Sequence, residues 1–119
     1  MNNYEITQVK RKFPKKLYLC AMEVQQIISD YFSSQPVAKA WLFGSYSRGE
    51  ATAHSDVDIM VSFLPNSRIT LLSYTHIVND LQRLLRKKVD LTEEGQLLPF
   101  AQESAERDKI LIYERNAKR

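Results

Sequence analysis

Residues 37–63, VAKAWLFGSYSRGEATAHSDVDIMVSF, decide how this chain folds and where its chemistry lies. The first part, residues 37–43, is mostly apolar and is bounded by Pro36 and Gly44, which is the pattern of a short buried strand. A polar stretch follows, and residues 56–63 then return to β-branched and apolar side chains. We therefore expect a strand, a short helix and a second strand in that order.

Amphipathic helices are predicted on both sides of this unit. Residues 17–32 and residues 71–85 carry apolar side chains at spacings of three and four, and we interpret both stripes as core. The remaining predicted elements are an apolar segment at residues 89–91, a helix at residues 97–107 and a strand at residues 110–113. This alternation predicts an α/β fold in one domain spanning residues 1–119, with a sheet flanked by helices.

Composition and charge exclude several classes of protein. Hydrophobic residues make up 44% of the 119 residues and charged residues 26%, as in folded globular proteins rather than disordered ones. Because no apolar run approaches the roughly 20 residues that cross a bilayer and no signal peptide is evident, we expect a cytoplasmic protein. The lone Cys20 excludes a disulfide framework and a thiolate metal cluster. A net charge of +3 suits a phosphate-bearing ligand or an acidic partner without requiring either.

Two aspartates lie at the start of the second predicted strand. Asp56 and Asp58 are two positions apart, and since alternate residues of a strand face the same side, both carboxylates should project together. The apolar neighbours Val57, Ile59 and Val61 should face the core. Two carboxylates this close repel each other unless a cation or a proton neutralises them. Magnesium prefers oxygen ligands together with substrate phosphates, so the pair predicts magnesium rather than zinc.

The polar stretch supplies the candidate phosphate-binding residues. Gly44 permits close backbone approach, amides at a helix start can receive a phosphate, and Ser45 adds a hydroxyl donor. Arg48, three residues later, could lend positive charge to a triphosphate. The structural alternatives are a tight turn with an ordinary N-cap at Gly44 and Ser45, and an ion pair of Arg48 with Glu50. Tyr46 could contact a nucleotide or shield the turn from solvent.

Asp90 is the candidate third carboxylate. It interrupts an apolar segment on an expected central strand, where an acid is costly unless it is paired or bound to a metal. The alternative is an edge position that faces water or pairs with a neighbouring lysine. Beside Asp56 and Asp58, we favour a catalytic role.

Taken together, FGSYSRGE at residues 43–50 and SDVDIMV at residues 55–61 resemble the signature of the DNA polymerase β-like nucleotidyltransferase superfamily. The match consists of Gly-Ser, ten residues, then Asp-x-Asp, with Arg48-Gly49 and Ser55 at agreeing positions. The chain is about as long as the minimal nucleotidyltransferases, or MNT proteins, of that superfamily. The resemblance implies a small mixed β-sheet flanked by helices, as in the polymerase β palm.

The resemblance also implies a role for each matching residue. Gly44 and Ser45 would hold the nucleotide phosphates, while Asp56, Asp58 and Asp90 would form an acidic triad that binds two magnesium ions. MNT proteins are typically encoded beside HEPN proteins as antitoxin and toxin. The implied reaction is therefore transfer of AMP from ATP to a tyrosine of a partner HEPN ribonuclease.

Other functions stay open at this point. A binding module could neutralise a HEPN partner by complex formation alone, although the intact set of acids argues against it. Transfer to a small molecule or to RNA usually needs an additional substrate domain. Since no RNA-binding motif with interleaved aromatic residues is present, we do not expect nucleic acid as a partner.

Overall fold

The structure is a computed structural model and describes residues 15–52, 54–96 and 99–115. The elements, in chain order, are α1 (Lys15–Phe32), β1 (Val37–Phe43), α2 (Ser45–Arg48), β2 (Val57–Phe63), α3 (Leu71–Leu85), β3 (Val89–Glu93), α4 (Pro99–Asp108) and β4 (Ile110–Glu114). The side chain of Cys20 lies outside the description, as do residues 97 and 98 of the predicted fourth helix. In the described part of the chain, no helix has the length and hydropathy to cross a membrane.

The strands form a mixed sheet in the order β3-β2-β1-β4, which confirms the predicted fold class. Strand β1 runs antiparallel to β2 and β4, whereas β2 and β3 are parallel because α3 carries the chain back between them. The expectation that Asp90 lies on a central strand is wrong. Strand β3 pairs only with β2 in this sheet, so Asp90 is at an edge.

One face of the sheet holds the main core. Helix α1 contributes Val24, Ile28 and Phe32, the strands contribute among others Leu42, Val57, Ile59 and Val61, and α3 contributes Ile77, Leu81 and Leu85. The prediction that the whole α3 stripe is core is wrong for the two leucines of the first turn and for Leu84, which is 44% exposed. Leu71 and Leu72 are 82% and 80% exposed, because they lie in the first turn, ahead of the part of the helix that packs on the sheet.

A buried carboxylate joins the two helices on this face. The Tyr31 hydroxyl in α1 donates to Asp80 Oδ2 at 2.6 Å, and Arg83 donates to Asp80 Oδ1 from the same helix as Asp80. These hydrogen bonds, that of Tyr31 first, lower the pKa of Asp80. His76 Nε2 lies 3.2 Å from the same carboxylate, so this histidine makes a structural contact.

The opposite face is covered by the short helix α4. Trp41 and Met60 are buried there against Ala105, and the Lys109 ammonium lies 4.5 Å from the centre of the Trp41 ring. Because strand side chains alternate, Asp58 lies on the same face as Met60. The acids of the candidate site therefore lie on the sheet face opposite the main core.

Candidate active site

The sheet register brings the candidate residues to one end of the fold. Asp58 in β2 is directly opposite Asp90 in β3, and on its other side it is opposite Phe43, the last residue of β1. Gly44 follows Phe43 at once, and Asp56 immediately precedes β2 rather than belonging to it. The three acids and the glycine turn thus come from three adjacent strands at a common end of the sheet.

Asp58 and Asp90 are close enough to share a hydrogen bond. Two carboxyl groups can do so only when one of them carries a proton. Burial raises the pKa of Asp58 from its ordinary 3.8 to about 6, with further contributions from the charge of Asp90, their hydrogen bond and the charge of Asp56, while Arg48 opposes the shift. The site therefore concentrates negative charge that calls for a counter-charge.

The donor set fits magnesium, since it consists of carboxylate oxygens without His or Cys. Among the side chains that the structure describes, no group of three or more His, Cys, Asp or Glu residues has metal-site geometry as it stands. Without a cation, close contact between the Asp58 and Asp90 carboxyl groups needs a proton on one of them. A bound cation would take the place of that proton.

Two features require a glycine at position 44, namely its backbone conformation and the closeness of Asp58. Its φ of 74° and ψ of −148° are accessible mainly to glycine, and a Cβ built on it would overlap Asp58 Oδ2. The turn is also fixed by Ser47, whose buried hydroxyl donates to the Gly44 carbonyl at 2.9 Å. Sequence analysis missed Ser47, since a serine in a polar stretch carries no signal of such a bond. The glycine lets the backbone pass directly over the catalytic candidate Asp58.

The two residues after Gly44 differ in exposure. Ser45 is half-buried and begins α2, so it lies at the turn as predicted. Tyr46 is buried and packs in the main core, which favours its structural role over contact with a nucleotide. Backbone amides in the first turn of a helix lack intrahelical acceptors and can receive an anion.

Arg48, at the end of α2, is held by two acids. Its Nε donates to Glu50 Oε1 at 2.9 Å, which is the pair considered as its structural alternative, and its Nη1 donates to Asp108 Oδ2 at 3.3 Å. The pair with Asp108 joins positions 60 residues apart and was not predicted. Both acids raise the pKa of Arg48, Glu50 most strongly. The positive charge of Arg48 in turn offsets part of the rise in the pKa of Asp58.

The loop before Asp56 is organised by a hydroxyl. Ser55 Oγ accepts from the Thr52 amide at 2.8 Å, and the His54 amide donates to Thr52 Oγ1 at 3.2 Å. The His54 side chain is exposed in this loop. Ser55 thus shapes the turn that leads into Asp56, which gives a physical reason for a serine at this position.

Sequence comparison identifies relatives over most of the chain. The family described as "Polymerase beta, Nucleotidyltransferase" matches residues 25–118. A protein of Methanocaldococcus jannaschii named "Putative protein adenylyltransferase MJ1379" is 35% identical over 109 residues, which cover 91% of this chain and 95% of the relative. Both matches span all three acids and the glycine turn.

Two solved structures resemble the fold. The "Crystal structure of the toxin-antitoxin with AMP-PNP" matches with a TM-score of 0.65 and 19% identity, over 77% of this chain and 74% of the other. A structure of tri-AMPylated Shewanella oneidensis HEPN toxin in complex with MNT antitoxin matches with a TM-score of 0.55 and 17% identity, over 83% of this chain and 73% of the other. At these identities the likeness concerns the fold alone.

Substitution of Gly44 tests the close approach to Asp58. We expect Gly44→Ala to add backbone strain of about 1–3 kcal/mol and to displace the Asp58 carboxylate, weakening magnesium-dependent ATP binding at least about tenfold. Gly95→Ala is a matched control, because Gly95 also has positive φ but a Cβ there meets nothing within 4 Å. Equal ATP binding in the two variants, measured by calorimetry, would contradict this role of Gly44.

Asp58→Asn should stabilise the metal-free protein. The pKa of Asp58 is about 6 when folded against an ordinary 3.8, so its charge costs nothing below about pH 4 and destabilises the fold progressively as pH rises towards 6. After allowance for solvent screening, we expect the variant to gain about 1 kcal/mol at neutral pH and nothing near pH 4. Urea unfolding with EDTA at both pH values measures this, with exposed Asp30→Asn as control. A loss of stability at neutral pH would refute the prediction.

Proposed function

This chain belongs to the polymerase β nucleotidyltransferase family, and from that premise we propose that it transfers AMP from ATP to a tyrosine hydroxyl of a partner HEPN ribonuclease, acting as its antitoxin. The observation that carries the proposal is the convergence of three carboxylates with the Gly44 turn at one end of the sheet. The name of the M. jannaschii relative supports a protein acceptor, and the solved HEPN–MNT complex supports a HEPN toxin as that acceptor.

Asp56, Asp58 and Asp90 would hold two magnesium ions. Their all-oxygen donor set and the charge accumulated at Asp58 are the features that support this assignment. Bound magnesium would neutralise the triphosphate and stabilise pyrophosphate as the leaving group. We also propose that the protein works in the cytoplasm, where both ATP and a ribonuclease's substrates are found.

The turn after β1 would hold the triphosphate. The amides at the start of α2 and the Ser45 hydroxyl are donors of the kind that phosphate oxygens accept, and Gly44 leaves room for the phosphates to lie against the backbone. Arg48 adds a permanent positive charge at the other end of the same short helix. These groups would fix the α-phosphorus next to the acids.

Asp90 would accept the proton of the acceptor hydroxyl. Asp90 is exposed at the edge of the sheet, so an incoming tyrosine side chain can reach it. As the tyrosine oxygen bonds to the α-phosphorus, its proton passes to Asp90 and the bond from that phosphorus to the bridging oxygen of pyrophosphate breaks in line. The products are a tyrosine-linked AMP and pyrophosphate.

Label transfer tests the proposal directly. We expect ATP labelled at the α-phosphate, incubated with magnesium and the co-purified HEPN partner, to label that partner in the presence of the wild-type chain. Asp58→Asn should reduce the rate at least about a thousandfold because it removes a carboxylate ligand of the magnesium ions that would hold the reacting phosphate. Asp30→Asn, on the exposed face of α1, should retain the wild-type rate.

The outcomes separate the competing functions. Label on the partner that is lost in Asp58→Asn establishes the enzyme. A stable complex without label would contradict it and favour a module that neutralises its partner by binding alone. Label on RNA or on a small molecule in place of the partner would overturn the assigned acceptor.

A further inference from the structure

Asp108 is the less exposed of the two acids that hold Arg48. Its side chain is 18% exposed, against 63% for Glu50. Ion pairs between fully exposed side chains contribute little, because water screens them and both chains lose freedom. The contact at 3.3 Å between Arg48 Nη1 and Asp108 Oδ2 is therefore the better shielded anchor of this guanidinium.

Asp108 also lies at the same end of the sheet as the site. Leu42 in β1 pairs with Ile110 in β4, so the start of β4 lies at the end of the sheet where Gly44 follows β1. Asp58 lies against the glycine turn from β2, and Asp108 ends α4 just before β4, which is on the other side of β1 from β2. Asp108 reaches Arg48 from the flank away from the acidic triad.

Its position at the end of a helix is unfavourable by itself. Asp108 is the last residue of α4, where the helix dipole disfavours a negative charge. The next residue is anchored, since the Lys109 amide donates to Ala105 and its ammonium pairs with Glu106 at 2.8 Å and covers the Trp41 ring. The Asp108 carboxylate is thereby held in place, and two cations, Arg48 at 3.3 Å and Arg107 at 4.0 Å, offset the unfavourable interaction of its charge with the helix dipole.

We propose that Asp108 is a positioning residue that holds the Arg48 guanidinium beside the Gly44–Ser45 turn, ready for the triphosphate of the nucleotide. A guanidinium has five N–H donors, of which Glu50 and Asp108 take one each, so three remain for phosphate oxygens. The inference rests on the proposed function for its ligand, ATP, but does not depend on which acceptor receives AMP.

A double-mutant cycle on nucleotide binding tests the proposal. The probe is a fluorescent N-methylanthraniloyl derivative of ATP with magnesium, titrated into the full chain. We expect Asp108→Asn to weaken binding about tenfold, and to have no further effect in an Arg48→Ala background, because it acts through Arg48. Glu106→Gln is the matched control, since it removes an acid from the same helix that pairs with Lys109 and not with Arg48.

The readouts distinguish positioning from a merely structural role. Asp108→Glu should restore part of the affinity, and the melting temperatures of Asp108→Asn and Glu106→Gln should be similar. Equal weakening by Asp108→Asn with and without Arg48, or a lowered melting temperature with unchanged affinity, would overturn the proposal. If the double-mutant cycle gives the predicted result but the HEPN partner is not labelled, the role of Asp108 in positioning Arg48 is supported and the proposed acceptor is rejected.

Discussion

The repulsion between Asp58 and Asp90 is the constraint on which the site depends. Parallel pairing of β2 with β3 places the two acids directly opposite each other, and partial burial of Asp58 makes its charge costly. Below about pH 6 a proton relieves this cost in the metal-free protein, and a divalent cation with a triphosphate would relieve it during catalysis. The charged acids thus destabilise the folded protein when no cation is bound, and the same negative charge favours binding of a divalent cation.

Packing elsewhere in the fold offsets the unfavourable free energy of the charged site. The main core lies on the opposite face of the sheet, and Asp80 joins α1 to α3 through Tyr31 on that same face. The acids therefore stand at the end of strands whose other face is densely packed. Such separation allows charge to be concentrated at the end of a small sheet without loss of the fold.

Local sequence patterns predicted those features of the fold and the site that depend only on nearby residues. The two-residue spacing of Asp56 and Asp58, and a glycine ending an apolar run, follow from strand alternation and turn chemistry, and the structure brings those residues together. The alternating apolar segments likewise predicted every strand and the three longer helices to within a few residues in the described ranges. The third acid was placed correctly on β3, although its strand proved to be an edge.

What the sequence did not reveal depends on contacts between distant residues. Strand order decides whether Asp90 is central or at an edge, and the length of sheet available to α3 decides that Leu71 stays exposed. The partnership of Arg48 with Asp108 arises only when β4 pairs with β1. Neither residue carries a local pattern that identifies the other.

Crystallography with manganese and a non-hydrolysable ATP analogue would test whether the three acids and the glycine turn form one cation-dependent nucleotide site. Manganese replaces magnesium at oxygen sites and gives an anomalous signal that locates it. We predict anomalous peaks about 2.2 Å from carboxylate oxygens of Asp56 and Asp58, with the analogue's phosphates against Gly44 and Ser45. Nucleotide bound elsewhere, or manganese without contact to either aspartate, would contradict the account.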